Sequence, residues 1–343
     1  MPSTDKSRKN NFDFLRISAA FLVLISHQYA LSGLQEPGFN VSLGSLGVMI
    51  FFSISGFLVS QSWRQDPHVF RFLLKRFLRI WPALAVVTFI SAVVLGPILS
   101  TLSWRSYFLH PDFLEFFNNL KLLVIRYYLP GVFEGNIYPR AVNGSLWTIP
   151  LEVRCYLYLL LLACIGITRK PVLFFLGTLL YGIYFFVVAQ KSSDYQSYYG
   201  LFFLSGVCLD LFRKQWEAKV FTLLGTALIS SAVFYFSDAS RVAFLCLIPA
   251  FSIVFGSRSI TGFNNFGKFG DMSYGLYIYA FPVQQTVLSL VDKNHSFWLA
   301  LFAAACITML CAFISWHLVE RPALNLKSRL NRKKEVLPAR ALS

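Results

Sequence analysis

Ten long apolar runs limit what this chain can fold into. Several of these runs approach the roughly 20 apolar residues that a helix needs to cross a bilayer. Overall, 56% of the residues are hydrophobic and only 14% are charged, which is more apolar surface than a soluble domain of this length can bury. The sequence therefore predicts an all-α, polytopic transmembrane helical bundle of about ten spans, at residues 12–33, 46–63, 80–99, 147–167, 171–190, 198–212, 219–237, 241–257, 271–291 and 296–318.

The positive charge of the chain follows the expected topology. The formal net charge is +15, and most lysines and arginines fall on the side of the predicted bundle that holds the N-terminus. The positive-inside rule then places both termini in the cytoplasm. Because topology accounts for the charge, no nucleic-acid partner is expected. We predict a membrane-embedded domain at 1–322 and a basic cytoplasmic tail at 323–343, which suits anionic lipid headgroups.

The six cysteines all fall inside predicted spans and show no metal-ligand spacing. They are best explained as small apolar packing residues, because neither a disulfide framework nor a zinc site fits their distribution. The sequence therefore predicts no metal.

Two ionisable residues stand out in the first span. Arg16 and His27 are eleven residues apart, so at 100° per residue they share one helix face, separated by roughly 16 Å along the axis. Alone, the arginine is compatible with snorkelling to headgroups and the histidine with a hydrogen bond between helices. Their shared face favours a joint role. A molecule with an anionic head and a long thin arm, such as acyl-coenzyme A, fits this separation.

A basic segment precedes the third span. In FRFLLKRFLRIWP (70–82), Arg76 and Arg79 are three residues apart and share a helix face. Guanidinium groups suit phosphate oxygens, of which coenzyme A carries several. Ordinary positive-inside topology explains the same arginines at least as well.

The segment NGSLWTIPLEVRCYLY (143–158) opens the fourth span from the outer face. Asn143 or Ser145 can cap this helix, and Trp147 suits the aromatic belt of a membrane surface. The preceding stretch 100–146 is long, aromatic and rich in turn formers towards its end. Long loops in compact domains are usually functional or disordered, and the aromatic content argues against disorder.

A carboxylate follows inside the same span. Glu152 lies five residues after Trp147, about 8 Å into the core, which is roughly the expected depth of His27. A carboxylate near a histidine holds its tautomer and stabilises its charged form. A pair between Glu152 and an arginine elsewhere in the bundle is the alternative.

Hydroxyl groups gather at the start of the ninth span, in GDMSYGLYIYAFPVQQ (270–285). Asp271 is expected to cap the helix, and Ser273, Tyr274 and Tyr277 offer hydroxyls near the cytoplasmic mouth. Interfacial tyrosines and a cap explain the same pattern.

Two further features lie near the ends of the last spans. Pro282 is expected to kink the ninth span and leave Gln284 and Gln285 available beyond the kink. His317 and Glu320, three residues apart, are expected to form a structural pair where the last span ends.

Taken together, these segments resemble the acyltransferase-3 family of integral membrane acyltransferases, whose members include bacterial O-acetylases of surface polysaccharides. The resemblance covers most of the chain. It rests on six motifs in the family's order: FDFLRISAAFLVLISH (12–27), GVMIFFSISGFLVS (47–60), RFLRIWP (76–82), NGSLWTIPLEVRCYL (143–157), SYGLYIYAFPVQQ (273–285) and VERP (319–322). In many members the ninth-span motif has a histidine where Ala280 stands here, so no second catalytic histidine is expected at that position.

The resemblance implies transfer of an acyl group, commonly acetyl, from cytoplasmic acyl-coenzyme A to a hydroxyl of an envelope or exported carbohydrate, at the inner membrane. His27 would act as a general base or take the acyl group covalently, and Glu152 would orient or charge it. We expect the remaining site residues to be Arg16, Arg76, Arg79, Ser273 and Tyr274 for acyl-coenzyme A, and Asn143, Ser145 and Trp147 for the acceptor.

Two other functions are compatible with parts of this pattern. A transporter of a lipid-linked sugar or small solute would also have about ten spans and polar groups at mid-membrane. Against it, the sequence shows no paired Gly/Pro-broken spans in two halves. A non-catalytic relative is disfavoured because Arg16, His27, Arg76, Arg79 and Glu152 are all present.

Overall fold

The computed structural model describes residues 10–37, 40–188, 195–264, 266–291 and 296–326. Within these ranges β-type pairing is limited to two isolated bridges, so the predicted all-α class is confirmed. The α-helices are α1 (Phe12–Leu31), α2 (Leu43–Gln65), α3 (Val69–Phe89), α4 (Gly96–Leu99), α5 (Trp104–Leu109), α6 (Pro111–Phe116), α7 (Thr148–Cys164), α8 (Pro171–Val187), α9 (Tyr195–Leu211), α10 (Arg213–Glu217), α11 (Val220–Phe236), α12 (Ser240–Ser257), α13 (Ser273–Leu290) and α14 (Phe297–Ser315).

A helix occupies each of the ten predicted spans, which makes the chain a multi-span helical membrane protein. In the described part of the chain, six helical segments are long and apolar enough to cross a membrane by length and composition. The count of ten spans and the cytoplasmic position of both termini stay predictions. The six segments are Phe12–Leu31, Leu43–Gln65, Val69–Leu99, Gly144–Cys164, Ser240–Ser257 and Phe297–Leu326, and the shorter apolar helices are Pro171–Val187, Ser197–Leu211 and Val220–Phe236.

The described residues form two compact units. The described residues of the first unit fall within 1–26, 36–65 and 151–273, and those of the second within 27–35, 66–150 and 274–343. The domain boundary that we place at residue 322 stays a prediction, and most of the predicted basic tail, residues 327–343, lies outside the described residues.

The first unit is organised around a close helix pair, α2 and α9. A Cβ added to Gly56 would lie 1.9 Å from the carbonyl oxygen of Phe203, and one added to Gly206 would lie 2.1 Å from that of Ser53. Side chains at these two glycines would therefore collide with backbone. Small residues let membrane helices approach until their backbones touch, which supplies packing where lipid offers no hydrophobic driving force.

The second unit contains a proline-interrupted helix that runs from α3 to α4. A π-helical turn at Ile90–Leu95 joins them, and in this turn backbone N–H groups donate five residues back. Pro97 has no N–H to donate to the carbonyl of Ala92. The buried Tyr107 hydroxyl donates to that carbonyl instead, at 2.7 Å. The connection 100–146 thus supplies the hydrogen bond that the helix lacks.

The same arrangement recurs at Pro282 in α13. Pro282 cannot donate to the carbonyl of Ile278, four residues earlier. The Asn143 side chain reaches this carbonyl with its Nδ2 group, at 2.9 Å, in a buried position. Both ends of the long connection are therefore fixed to carbonyl oxygens that prolines leave open.

We predict that Tyr107→Phe lowers the free energy of unfolding by about 1–3 kcal/mol, because a buried carbonyl then loses its donor. Thermal unfolding of purified protein measures this loss, with the half-exposed Tyr128→Phe as the matched control. In a Pro97→Ala background an N–H replaces the hydroxyl as donor, so the loss should shrink. An equal loss in both backgrounds would contradict this explanation.

Candidate active site

His27 lies in the last two turns of α1, packed against α13. Its ring centroid is 5.3 Å from that of Phe281, and the two rings are at 78° in an edge-on arrangement. The neighbouring Gln28 accepts a hydrogen bond from Gln284 Nε2 at 2.9 Å, in a buried position. His27 Nδ1 is buried and has no hydrogen-bond partner among the described residues. A buried polar atom without a partner is costly, and native structures contain few of them.

The start of the α7 helix lies against the same phenylalanine. Asn143 is the cap of the opening turn, since its Oδ1 accepts from the backbone N–H of Ser145. A Cβ on Gly144 would lie 2.4 Å from Cε2 of Phe281. The Ser145 side chain is 0% exposed, and its hydroxyl has no hydrogen-bond partner among the described residues. His27 and the turn that carries Ser145 therefore flank one ring.

Glu152 belongs to the first unit and has a tyrosine partner there. The Tyr156 hydroxyl donates to Glu152 Oε1, and the same hydroxyl lies 3.2 Å from Ser55 Oγ. The expected approach of Glu152 to His27 stays a prediction. Trp147, at the end of the opening turn, is partly buried.

Two of the residues predicted to bind acyl-coenzyme A meet at one carboxylate in the first unit. Arg16 Nη1 donates to Asp271 Oδ2 at 2.8 Å, and the buried Ser273 donates its hydroxyl to Asp271 Oδ1. A second carboxylate, that of Asp13, lies 3.8 Å from the arginine. Asp271 thus orients Arg16 in addition to lying at the start of α13.

The other predicted donor-site residues lie together in the second unit. The Arg79 guanidinium lies 5.8 Å from the centre of the Tyr274 ring, and the tyrosine hydroxyl donates to the carbonyl of Ile80 at 2.9 Å. Glu320, almost fully buried, lies 4.0 Å from Arg79 Nη1 and accepts from Ser315 Oγ at 3.0 Å. Arg76, one turn before Arg79, is partly buried.

The predicted pair of His317 and Glu320 is replaced by other contacts. A π-helical turn at Trp316–Glu320 changes the helical register. His317 Nδ1 lies 2.9 Å from the carbonyl of Phe313, whereas Glu320 turns towards Arg79. The predicted pair relied on the i, i+3 geometry of an undistorted α-helix. The sequence contains no clear signal of the π turn.

The remaining cations of the basic segment have a carboxylate of their own. Lys75 Nζ donates to Asp66 Oδ2 at 2.6 Å, and Arg71 Nε donates to the same carboxylate at 2.9 Å. Asp66 lies between α2 and α3. The Asp66 carboxylate compensates the positive charge of Arg71 and Lys75. In this respect the two cations differ from the two arginines of the R-x-x-R motif.

The fold and these side chains define a class: helical membrane proteins that carry ionisable groups on their spans. The chain belongs to the acyltransferase-3 family, because the family's acyltransferase domain matches residues 9–317. Such membership favours the enzyme over the transporter, and the predicted enzyme class, an O-acyltransferase, is confirmed.

Two relatives match nearly the whole chain. It is similar to an O-acetyl transferase of Shigella phage Sf6, with 30% identity over 337 residues that cover 94% of this chain and 98% of the relative. It is also similar to nodulation protein 10 of Rhizobium leguminosarum bv. viciae, with 28% identity over 368 residues that cover 96% and 97% of the two chains. No solved structure gives a significant match.

We predict that Asp66→Asn lowers the free energy of unfolding by an amount that is constant from neutral to mildly acidic pH. The hydrogen bond from Arg71 holds the pKa of the Asp66 carboxyl well below its ordinary value of 3.8. Since a lowered folded-state pKa stabilises the protein above the unfolded-state value, the contribution is lost only below that value. Denaturation of both proteins across pH measures it, with Asp112→Asn, at a partly exposed carboxylate, as control. A difference that already disappears near pH 6 would contradict the prediction.

Proposed function

We propose that this protein transfers an acyl group, in the first place acetyl, from acyl-coenzyme A to a hydroxyl of a cell-envelope or exported carbohydrate. The observation that carries the proposal is the buried His27 Nδ1, which has no partner among the described residues of a chain that belongs to an acyltransferase family. The name of the phage relative, an O-acetyl transferase, supports acetyl as the group and oxygen as the acceptor atom. We further propose that the enzyme lies in the inner membrane with its donor on the cytoplasmic side.

His27 takes the proton in this mechanism. One ring nitrogen accepts the proton of the acceptor hydroxyl as its oxygen attacks the thioester carbonyl. The tetrahedral intermediate then expels the coenzyme A thiolate, which takes this proton from the imidazolium and leaves as the free thiol. In the alternative route a His27 nitrogen attacks the thioester and expels the coenzyme A thiolate, which takes the N–H proton of the acylated imidazole and leaves as the free thiol. The acceptor hydroxyl then attacks the acyl group, and its proton returns to the histidine as the ester is released. Glu152 is proposed to favour the charged histidine in either route.

The donor is held by its phosphates in this proposal. Arg16, Arg76 and Arg79 bind phosphate oxygens, with the hydroxyls of Ser273 and Tyr274 nearby. The carboxylates next to two of these arginines are compatible with that role, because a guanidinium has five N–H donors and a single carboxylate uses at most two or three of them. A neighbouring carboxylate also fixes the long side chain before the donor arrives.

The acceptor side is assigned to Asn143, Ser145 and Trp147. The unmet hydrogen-bonding capacity of the buried Ser145 hydroxyl supports a bond to a substrate oxygen. The Asn143 side chain caps the opening turn and donates to the Ile278 carbonyl. We therefore propose that Asn143 acts by holding the turn in place. Trp147 supplies an aromatic surface at the start of the helix.

We predict that His27→Ala lowers the rate of acyl transfer at least about 100-fold, as loss of a general base does, while acetyl-coenzyme A still stabilises the protein against heat. Thiol release and mass spectrometry of the carbohydrate measure transfer. His110→Ala, which removes the partly exposed histidine at the start of α6, is the matched control. Normal acylation by His27→Ala would refute the catalytic assignment.

We predict that Ser145→Ala lowers the rate of transfer about 100- to 1,000-fold, as removal of one hydrogen-bond donor to a reacting oxygen does, without lowering the temperature of unfolding. Removing a buried hydroxyl that has no partner among the described residues should not destabilise the folded state. Steady-state kinetics and thermal unfolding on the same samples test both halves. A destabilised variant with normal activity would show that the hydroxyl is structural.

A further inference from the structure

A line of three aromatic rings leads from the surface of the second unit to His27. Tyr138, in the long connection 100–146, is 48% exposed. Its ring centroid lies 6.3 Å from that of Phe281, with the planes at 81°. Phe281 is 5% exposed and makes its other edge-on ring contact with His27, at 5.3 Å. One buried ring therefore separates an accessible tyrosine from the histidine.

Buried amide groups hold this tyrosine in place. Gln285, which is 0% exposed, donates to the carbonyl of Tyr138 at 2.8 Å and to that of Ala141 at 2.9 Å. Asn136 Nδ2 in turn donates to Gln285 Oε1 at 2.7 Å. A short segment that is held at the Asn136 side chain and at the carbonyls of Tyr138 and Ala141 presents a ring at little cost in conformational entropy.

The turn that follows α1 also contacts this segment. Gly33 has a φ of +66°, and a Cβ there would lie 2.8 Å from the Ile137 side chain. The residue next to Tyr138 therefore packs on the turn six residues beyond His27. Tyr138 is thus positioned by both of the helices that hold the histidine and its phenylalanine.

We propose that Tyr138 is the binding platform for the carbohydrate acceptor, and that a sugar ring stacked on it presents its hydroxyl towards His27 past Phe281. One face of a pyranose carries C–H groups, which pack well on the electron-rich face of an aromatic ring. The hydroxyl groups around the rim of the sugar stay in water and keep their hydrogen bonds. This inference rests on the proposed function and adds to it the acceptor subsite.

The test compares three variants of the full-length protein: Tyr138→Ala, Tyr138→Phe and Tyr128→Ala. Tyr128 lies in the same connection and is also 48% exposed, but its described ring contacts are with Arg140 and Tyr127. The acceptor probe is ester-free polysaccharide, prepared by alkali treatment from the envelope of cells that lack this protein. Acetyl-coenzyme A is the donor, and acceptor-dependent thiol release is the readout.

Tyr138→Ala should raise the KM for the polysaccharide about three- to tenfold, the value of one aromatic contact, with an unchanged KM for acetyl-coenzyme A. Tyr138→Phe and Tyr128→Ala should behave as the wild type, because the first keeps the ring and the second leaves the platform intact. A structural role would instead lower the unfolding temperature and affect both substrates.

Three results would overturn the platform. These are a wild-type acceptor KM in Tyr138→Ala, an equal effect of Tyr128→Ala, or an equal loss for both substrates. Wild-type protein that releases no thiol in response to the polysaccharide would overturn the proposed function, and the platform with it. A failure of this inference alone is therefore distinguishable from a failure of the function.

Discussion

The constraint on which the second unit depends is that a backbone carbonyl inside a membrane must find a donor. Water is absent there, and each unsatisfied group costs several kcal/mol. Pro97 and Pro282 each remove one donor from a helix, and the hydroxyl of Tyr107 and the amide of Asn143 replace them. These two bonds fasten the two ends of the connection 100–146. Between them lie Tyr138 and the segment that Gln285 holds. Helix irregularities thus fix the position of the region proposed to receive the acceptor.

Ion pairs are the second interaction that organises the protein. Arg16 has Asp271, Arg79 has Glu320, and Lys75 has Asp66, each within the unit to which it belongs. Long cationic side chains lose considerable rotamer freedom when they bind a ligand. A carboxylate that restricts the side chain beforehand reduces that loss, at the cost of competing for some of its N–H groups. A phosphate ligand would then replace one of the several contacts of the cationic side chain with a stronger one.

The sequence predicted those features that depend on local pattern. Apolar runs located the helices, as at Phe12–Leu31, and the spacing of polar residues identified the opening turn at Asn143. Contacts between distant segments could not be predicted from the sequence. Asp271 was expected only as a cap and Glu320 only as a partner of His317, because an ion pair across many residues leaves no periodic signal. The sequence does not single out Phe281, because it is one of 36 phenylalanines and lies in no pattern that distinguishes it. A useful signal was present in Pro282: a proline within a span demands a donor from elsewhere.

The buried Ala280, directly before Phe281, bears on the mechanism, because no second catalytic histidine is expected at that position. Base catalysis of acyl transfer needs a group that accepts a proton from the attacking hydroxyl and later returns one to the thiolate. These two transfers occur in sequence, so a single imidazole can perform both if the leaving thiolate comes within reach of the nitrogen that was protonated. The direct route therefore needs no second histidine. It does need the acceptor and the thioester to meet on the same side of His27, and the edge-on Phe281 ring already occupies one side of the histidine.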